Sequence, residues 1–395
     1  MENIIRNYKV YKNSQILTRV ENPVKVEKQA EYVQIGIRSH AKGIFIKEPV
    51  VGKELGNKRV FWIEEDCFIV NIVFAWERAI AQTNSELKGL IASHRFPMYR
   101  VDNSKVDLDY FTRLYQTNRG KYLLELASPG GAGRNKTLGQ KEFNELEIKL
   151  PSLETQKYVS RFLNLLDRRI EQQKEKVEAW REYKKGMMQK LFSRELRFKD
   201  ENGQEFSEWE EQTLGSLGQF SKGGGLSKAD LTEEGIPCIL YGELYTLYDH
   251  VINKVYSRTK SIDNVVTGMK NDVLIPSSGE TAIDIACASS LEAEGVLLGG
   301  DINIFRPNTN ILGSFISYQI NSAKKNELAV YAQGSSVVHL YNKEIKNLKV
   351  FLPLLLEQQK IVNFLSEIDK KINGETEKIT ILEEQKKGFM QQMFI

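Results

Sequence analysis

The chain has 395 residues, of which 41% are hydrophobic and 27% charged, too long for one core of at most about 300 residues and too apolar for a disordered chain, so several folded domains are expected. No apolar run approaches the roughly 20 residues that span a bilayer, and the charged, asparagine-rich start lacks the apolar core of a secretory signal, so a cytoplasmic protein is expected. The net charge of +3 divides into +6 over residues 1–150 (24 basic, 18 acidic), +3 over 151–205 (13, 10), −5 over 206–350 (12, 17) and −1 over 351–395 (6, 7); only the first half carries the basic excess usual in a free-standing nucleic-acid binder.

Residues 1–150 show short apolar runs, among them Tyr32 to Ile35 and Cys67 to Val70, bounded by Gly, Asn, Asp and Pro, which indicates strands and turns of an α+β block. After Leu150-Pro151 come about 40 proline-free residues rich in Glu, Lys, Gln and Leu, strong helix formers that predict one long helix. Its apolar residues recur at alternating steps of four and three, at Val159, Leu163, Leu166, Ile170, Val177, Trp180, Met187 and Leu191. That is a heptad seam, interrupted at Gln173 and Lys184, and it calls for a coiled-coil partner. Residues 195–209 are polar and read as a linker. Residues 209–350 read as a second α+β block. A second long helix follows Leu352-Pro353, with its seam at Ile361, Leu365, Ile368, Ile372, Ile379, Leu382, Phe389 and Met393 and interruptions at Glu375 and Lys386.

The two helices are copies of one another at a constant offset of 202. Leu150-Pro151 matches Leu352-Pro353, Phe162-Leu163 matches Phe364-Leu365, Asp167 matches Asp369, and Gly186, Met188 and Gln189 match Gly388, Met390 and Gln391. Over residues 141–192, 20 of 52 positions are identical without a gap, which marks a duplication. The blocks echo each other more faintly at an offset of 206: Ile35-Gly36 with Tyr241-Gly242, Asp66 with Asp272, and Arg100 with Arg306. The fold class is therefore α+β, with two pseudo-symmetric domains and two long helices that pair with each other.

Reactive constellations are absent from the sequence. There is no GxxxxGK[ST] or GxGxxG loop, and no HExxH. The nine prolines are never adjacent, which excludes the Asn/Asp-Pro-Pro-Tyr motif of amino-methyltransferases. Gly223-Gly224-Gly225 reads as a turn rather than a phosphate cradle, and Ser277-Ser278-Gly279 lacks the spacing of a hydrolase elbow. Cys67, Cys238 and Cys287 stand far apart and read as reduced core thiols, with no metal site.

Two variable blocks, each followed by Leu-Pro-x-Leu and a long helix ending Lys-Lys-Gly-x-Met (Lys184 to Met188, Lys386 to Met390), resemble the specificity subunits of type I restriction-modification systems over essentially the whole chain. Trp209 with Leu214-Gly215 is similar to the start of a target recognition domain; no such Trp-x-x-x-x-Leu-Gly stands near Met1, so the first domain is expected to begin differently. The resemblance implies target recognition domains at 1–150 and 209–350, helical spacers at 151–195 and 351–395 forming an antiparallel coiled coil, and a linker at 196–208. It implies a non-catalytic DNA-binding subunit in which each domain reads half of a bipartite double-stranded target and the helices set the gap. Its implied partners are modification (methyltransferase) subunits, two of them, which carry S-adenosylmethionine and methylate adenine, and restriction (motor-nuclease) subunits, which use ATP and Mg and cleave unmodified DNA. A helix from Glu154 to Phe192 would run roughly 58 Å, matching roughly 17 base pairs of duplex.

Base edges and phosphates are contacted by Arg, Lys, Asn, Gln, Ser and Thr and by amides near glycines. On chemistry and placement, the candidates in the first domain are Arg38, His40, Lys42, Asn71, Trp76, Arg78, Arg134, Asn135 and Lys136. In the second they are Lys222, Lys228, Tyr241, Tyr245, Arg258, Thr259, Lys260, Ser277, Ser278, Glu280, Thr281, Gln333, Ser335 and Ser336. The alternative reading is a coiled-coil scaffold that organises partner proteins without touching DNA; a heptad seam alone suits it equally well.

Overall fold

The computed structural model describes residues 8–130, 136–261 and 263–394. The chain divides into two compact units, one of residues 1–173 with 378–395 and the other of residues 174–377. The division runs through both long helices rather than between helices and blocks.

In the first unit an antiparallel sheet is ordered Leu17–Val20, Met98–Val101, Phe68–Val70, Ile80–Gln82. The central Phe-Ile-Val run is buried on both faces, as expected of apolar strands in the middle of a sheet. The helix Leu108–Gln116 packs on it through Tyr110, Phe111, Leu114 and Tyr115, which join Phe68 and Phe143 in one aromatic core. Its start is fixed by Asp107, whose carboxylate accepts the Tyr110 N–H at 2.9 Å, satisfying one of the free amides of the first turn. The strand Lys9–Lys12 pairs with Glu147–Leu150 just ahead of the first long helix.

The second unit repeats this plan. Its main sheet is ordered Gly218–Lys222, Ile302–Pro307, Val273–Pro276, Ser289–Leu291, Val251–Ile252, the helix Gly313–Gln319 packs beside it, and Glu210–Thr213 pairs with Lys349–Leu352 ahead of the second long helix. A second five-stranded sheet is ordered Leu231–Thr232, Arg258–Thr259, Ile236–Ile239, Val296–Leu298, Val266–Gly268; part of it recurs in the first unit, where Ile91–Ser93 pairs antiparallel with Val60–Trp62 and bridges in parallel to Gln34. Lys9 faces Leu150 as Glu210 faces Leu352, so the first domain does begin with the same strand. Tyr8 occupies the place of Trp209, which is why no tryptophan signature marks it.

The long helices are Leu153–Phe192 and Leu355–Met393, and each unit holds a stretch of both. In the first unit Phe162 meets Phe389 edge-on, with ring centroids 5.0 Å apart, and Asp167 pairs with Lys386. In the second, Lys176 pairs with Glu375 at 3.1 Å and Lys184 with Asp369. Ascending positions on one helix meet descending positions on the other, so the pairing is antiparallel. Of the expected seam, Val159, Leu163, Ile170, Val177, Leu191, Ile361, Leu365, Ile368, Ile372, Leu382 and Met393 are buried, and Leu166, Trp180, Ile379 and Phe389 are half-buried. Met187 is a correction: it is half-buried, and its neighbour Met188 takes the inner place.

Residues 195–209 are not a free tether. Arg197 donates through Nε and Nη2 to the fully buried Glu357 carboxylate at 3.1 and 3.0 Å, and the Trp209 indole N–H donates to the same carboxylate at 3.1 Å. Phe198 packs on Phe364, and Lys360 Nζ donates to the Lys199 carbonyl. Polar composition marks the segment but does not tell that Arg197 and Trp209 turn inward to a buried carboxylate. The glycine run at 223–225 is a close-packed crossing: a Cβ at Gly223 would fall 1.8 Å from the Gly299 oxygen and one at Gly224 2.2 Å from the Asn264 oxygen. Cys67, Cys238 and Cys287 are free thiols, the first two buried.

Candidate nucleic-acid interface

In the first unit the hairpin of Ile35–Ile37 and Ile44–Ile46 is closed by a bond from Arg38 N–H to Gly43 O at 2.9 Å. Gly36 has no side chain because the Phe45 ring crosses there, and the Arg38 guanidinium lies 4.8 Å from that ring's centroid. The tip is anchored on the loop that follows Phe68–Val70: His40 N–H donates to Glu77 O at 2.7 Å, Ala41 N–H to Arg78 O at 2.8 Å, and the Ser39 hydroxyl to the Glu77 carboxylate at 2.7 Å. His40, Ala41 and Arg78 all have positive φ, 61°, 56° and 59°, a conformation that costs on the order of 1–3 kcal/mol per non-glycine residue and persists only where neighbours enforce it. Here the three hydrogen bonds do so. Arg78 is further held by Nη1 donating to Gln116 O at 2.9 Å, and the Lys136 ammonium stands 6.0 Å from the Trp76 ring centroid.

The structure thus brings Arg38, His40, Lys42, Trp76, Arg78 and Lys136 to one edge of the unit. Asn71 differs: it is buried and its Oδ1 accepts the Val73 N–H at 3.1 Å, so it shapes the turn and does not face outward. Arg134 and Asn135 lie outside the described residues.

In the second unit the loop after the equivalent strand, Val273–Pro276, carries the serine cluster. Ser277 and Ser278 are corrections, being buried: Ser277 N–H donates to Asp301 O, the Ser278 hydroxyl donates to the Asp301 carboxylate at 3.0 Å, and Ser278–Gly279 pairs with Val338–His339. They hold the loop together. Glu280 and Thr281 follow, exposed, with the Thr281 hydroxyl accepting the Asp284 N–H at 3.2 Å to start a short helix. Gln333 and His339 exchange two backbone bonds of 2.9 and 2.8 Å, which loops Ser335 and Ser336 out into solvent. Tyr245 lies over Gly279 and 6.5 Å from Tyr241, ring to ring. Burial, with Tyr241 and Glu280 beside it, pushes the Tyr245 phenol up, so it stays a protonated donor at neutral pH.

Tyr341 completes this edge and was missed in the sequence. His339 stacks on it at 6.0 Å and Lys222 stands 5.8 Å from its ring centroid. The available signal was an aromatic residue interleaved with basic ones; Phe45 beside Arg38 is the same case. Lys228, Arg258 and Lys260 are gathered separately, at the second sheet: Arg258 Nη1 donates to Gly235 O at 3.2 Å, and Lys228 and Lys260 are exposed. Thr259 is a correction, fully buried with its hydroxyl donating to Asp230 O at 2.8 Å.

The first unit therefore offers an edge of Arg, Lys and His donors beside Phe45 and Trp76, and the second an edge of Lys, Gln, Ser, Thr and Tyr groups, sets suited to phosphates and base edges. The family described as "Type I restriction modification DNA specificity domain" matches residues 42–179 and again 206–384. The chain belongs to that family. Among curated relatives, the type I restriction enzyme MjaVIII specificity subunit of Methanocaldococcus jannaschii is 23% identical over 91% of this chain and 83% of its own length. The putative type I restriction enzyme MjaX specificity subunit of the same organism is 24% identical over 74% of this chain and 68% of its own length. Among solved structures, the type I restriction-modification S subunit from M. genitalium aligns over 100% of this chain and 97% of its own with a TM-score of 0.57 at 16% identity. A chain from a study of complex assembly and conformational transition of the type I R-M system covers 99% and 98% with a TM-score of 0.61 at 16% identity.

Two copies of the specificity domain give the chain its role, DNA sequence specificity, and make it the non-catalytic recognition subunit of a type I restriction-modification system. Membership implies DNA and the methylase and restriction subunits as partners, and the specificity subunit is not itself a cofactor binder. Among the described residues no cluster of three or more His, Cys, Asp or Glu is placed to hold a metal, and no helix is long and apolar enough to cross a membrane.

Proposed function

We propose that residues 1–150 and 209–350 each read one half of a bipartite duplex target and that the helices at 151–195 and 351–395 set the unread gap. The observation that supports this reading is the recurrence of the DNA specificity domain in one chain, over residues 42–179 and again over 206–384. Arg38, His40, Lys42, Trp76, Arg78 and Lys136 contact one half-site. Lys222, Tyr241, Tyr245, Glu280, Thr281, Gln333, Ser335 and Ser336 contact the other, with Lys228, Arg258 and Lys260 on phosphates. The chain works in the cytoplasm with two modification subunits, which supply S-adenosylmethionine and the adenine methylation, and with restriction subunits, which use ATP and Mg to cleave unmodified DNA.

The acidic balance of residues 206–350 makes binding by the isolated chain weak and salt-sensitive, and partner subunits supply further phosphate contacts. The test is co-expression with the cognate methyltransferase in a methylation-free host and genome-wide mapping of N6-methyladenine. One split motif with a fixed gap is the expected result; co-purification without any methylation would defeat it. Replacing Arg38, His40 and Lys42 together with Ala is expected to relax one half-site only, at about 1–3 kcal/mol of discrimination per lost base contact. An unchanged motif would remove the hairpin from the interface.

A further inference from the structure

Two of the polar interruptions of the heptad seam, Lys184 and Lys386, stand in the same arrangement. In the first unit Asp167 Oδ1 lies 2.5 Å from Lys386 Nζ on the opposite helix, and its Oδ2 accepts from Arg113 Nη2 at 2.8 Å. In the second, Asp369 Oδ1 lies 2.5 Å from Lys184 Nζ on the opposite helix, and its Oδ2 accepts from Tyr318 Oη at 2.6 Å. Arg113 and Tyr318 sit on the equivalent helices Leu108–Gln116 and Gly313–Gln319. Each aspartate thus joins three elements, its own long helix, the opposite long helix and the domain helix, with one oxygen assigned to each neighbour.

We infer that Asp167 and Asp369 are positioning residues that fix the register and direction of the paired helices and seat each recognition domain on them, and so define the gap between half-sites. The two pairs are 17 residues apart on both helices, 167 to 184 and 369 to 386, so a single antiparallel register satisfies both. A slip of one heptad would set Asp167 against Ile379 or Met393 and Asp369 against Val177 or Leu191. Either way Asp369 would face an apolar seam position without its cation, which is unfavourable, and Asp167 would keep only Arg113. Parallel pairing of the two copies would set Lys184 against Lys386 and Asp167 against Asp369, like against like. The apolar seam residues alone distinguish neither alternative, since they repeat every seven residues on both helices. Lys184 is nearly inaccessible to solvent, which makes the penalty for a mispaired register large.

This inference rests on the bipartite reading, and the test separates the two. Asp369→Asn, which keeps the shape and removes the charge, Tyr318→Phe, which removes only the bond to the domain, and the reversed pair Lys184→Asp with Asp369→Lys are each co-expressed with the methyltransferase, and methylated adenines are mapped. In Asp369→Asn, methylation at sites whose gap differs by one base pair or more is expected to rise at least tenfold relative to the wild-type gap, with both half-sites unchanged. Tyr318→Phe shows the same broadening to a smaller degree, and the reversed pair returns a single gap. A single wild-type gap in Asp369→Asn and Tyr318→Phe, or a loss of methylation that is uniform over all gaps, overturns the positioning role and leaves a structural one. Absence of any split motif with the wild-type chain would instead defeat the bipartite reading.

Discussion

Glu357 shows how one residue can look like a minor departure and decide local structure. Its counterpart in the first copy is Thr155, which bonds locally to the Ser152 hydroxyl. Glu357 is fully buried and takes Arg197 and the Trp209 indole. The difference between copies is visible in the sequence, but its reason lies 160 residues away, which no local pattern reports. Replacing Arg197 with Ala strands a buried carboxylate and is expected to lower stability by about 3–5 kcal/mol, read as a shift in urea midpoint; Glu357→Gln, which leaves Arg197 paired with Glu208 at 3.3 Å, is expected to cost less.

His250 gives a residue-scale pH dependence. Burial, then Lys184 and Lys325, push its imidazole down to about 3; the ring stacks on Tyr318 and its Nδ1 stands 2.9 Å from Lys184 Nζ, with Asp369 on the far side of that lysine. The native state holds it neutral, whereas the unfolded chain protonates near pH 6.5. Its contribution is therefore complete above about pH 6.5 and declines as pH falls from there toward 3, by at most about 1.4 kcal/mol per pH unit. Unfolding free energies from urea titrations at pH 7 and 5 are expected to fall by on the order of 1–2 kcal/mol more in the wild type than in His250→Asn. Equal slopes would mean that the imidazole is not held neutral.

At the scale of elements, each long helix begins on a buried glutamine. Gln156 Nε2 donates to Pro151 O and Lys105 O while its Oε1 accepts the Asp107 N–H. Gln358 Nε2 donates to Pro353 O while its Oε1 accepts the Leu312 N–H. The Leu-Pro junction, the helix start and the loop before the domain helix are thus tied by one side chain in each copy. Gln358→Leu leaves those backbone groups without a partner and is expected to cost about 1–3 kcal/mol, with faster amide exchange confined to the first turns of the helix and to the loop before Gly313–Gln319. Helix lengths, seam and direction of pairing were legible because periodicity and duplication are local or self-referential signals. The recognition edges were legible only in part. Arg38, His40 and Arg78 were picked for their chemistry, but nothing in the sequence tells that positive-φ residues on two loops hold them together. Ser277, Ser278 and Thr259 carry the right groups, yet the fold turns them inward to satisfy its own backbone and carboxylates.

At the scale of the molecule, the order domain, helix, domain, helix follows from the repeat, but the composition of the units does not. The second unit is one continuous stretch, 174–377, and the first is closed by residues 378–395. Leu382 is buried, and Phe389, Met390, Met393 and Phe394 pack in or against the core that holds Tyr110 and Phe111. Ending the chain after Glu377 is expected to leave the second unit protected in limited proteolysis while the first is digested; equal protection of both would show that the closing helix is dispensable.

That closure also sets an order of events during synthesis. Tyr110 packs against Phe394 with ring centroids 4.7 Å apart, across a sequence separation of 284, 110 to 394. At about 5–20 residues per second, the ribosome needs roughly 15–60 s to deliver that ring after the site that receives it has emerged. The second unit has all of its own residues once position 377 is made, while the first still waits for 378–395. The nascent first unit, with an unfilled aromatic face, is the species in this protein's history most exposed to chaperones and to aggregation.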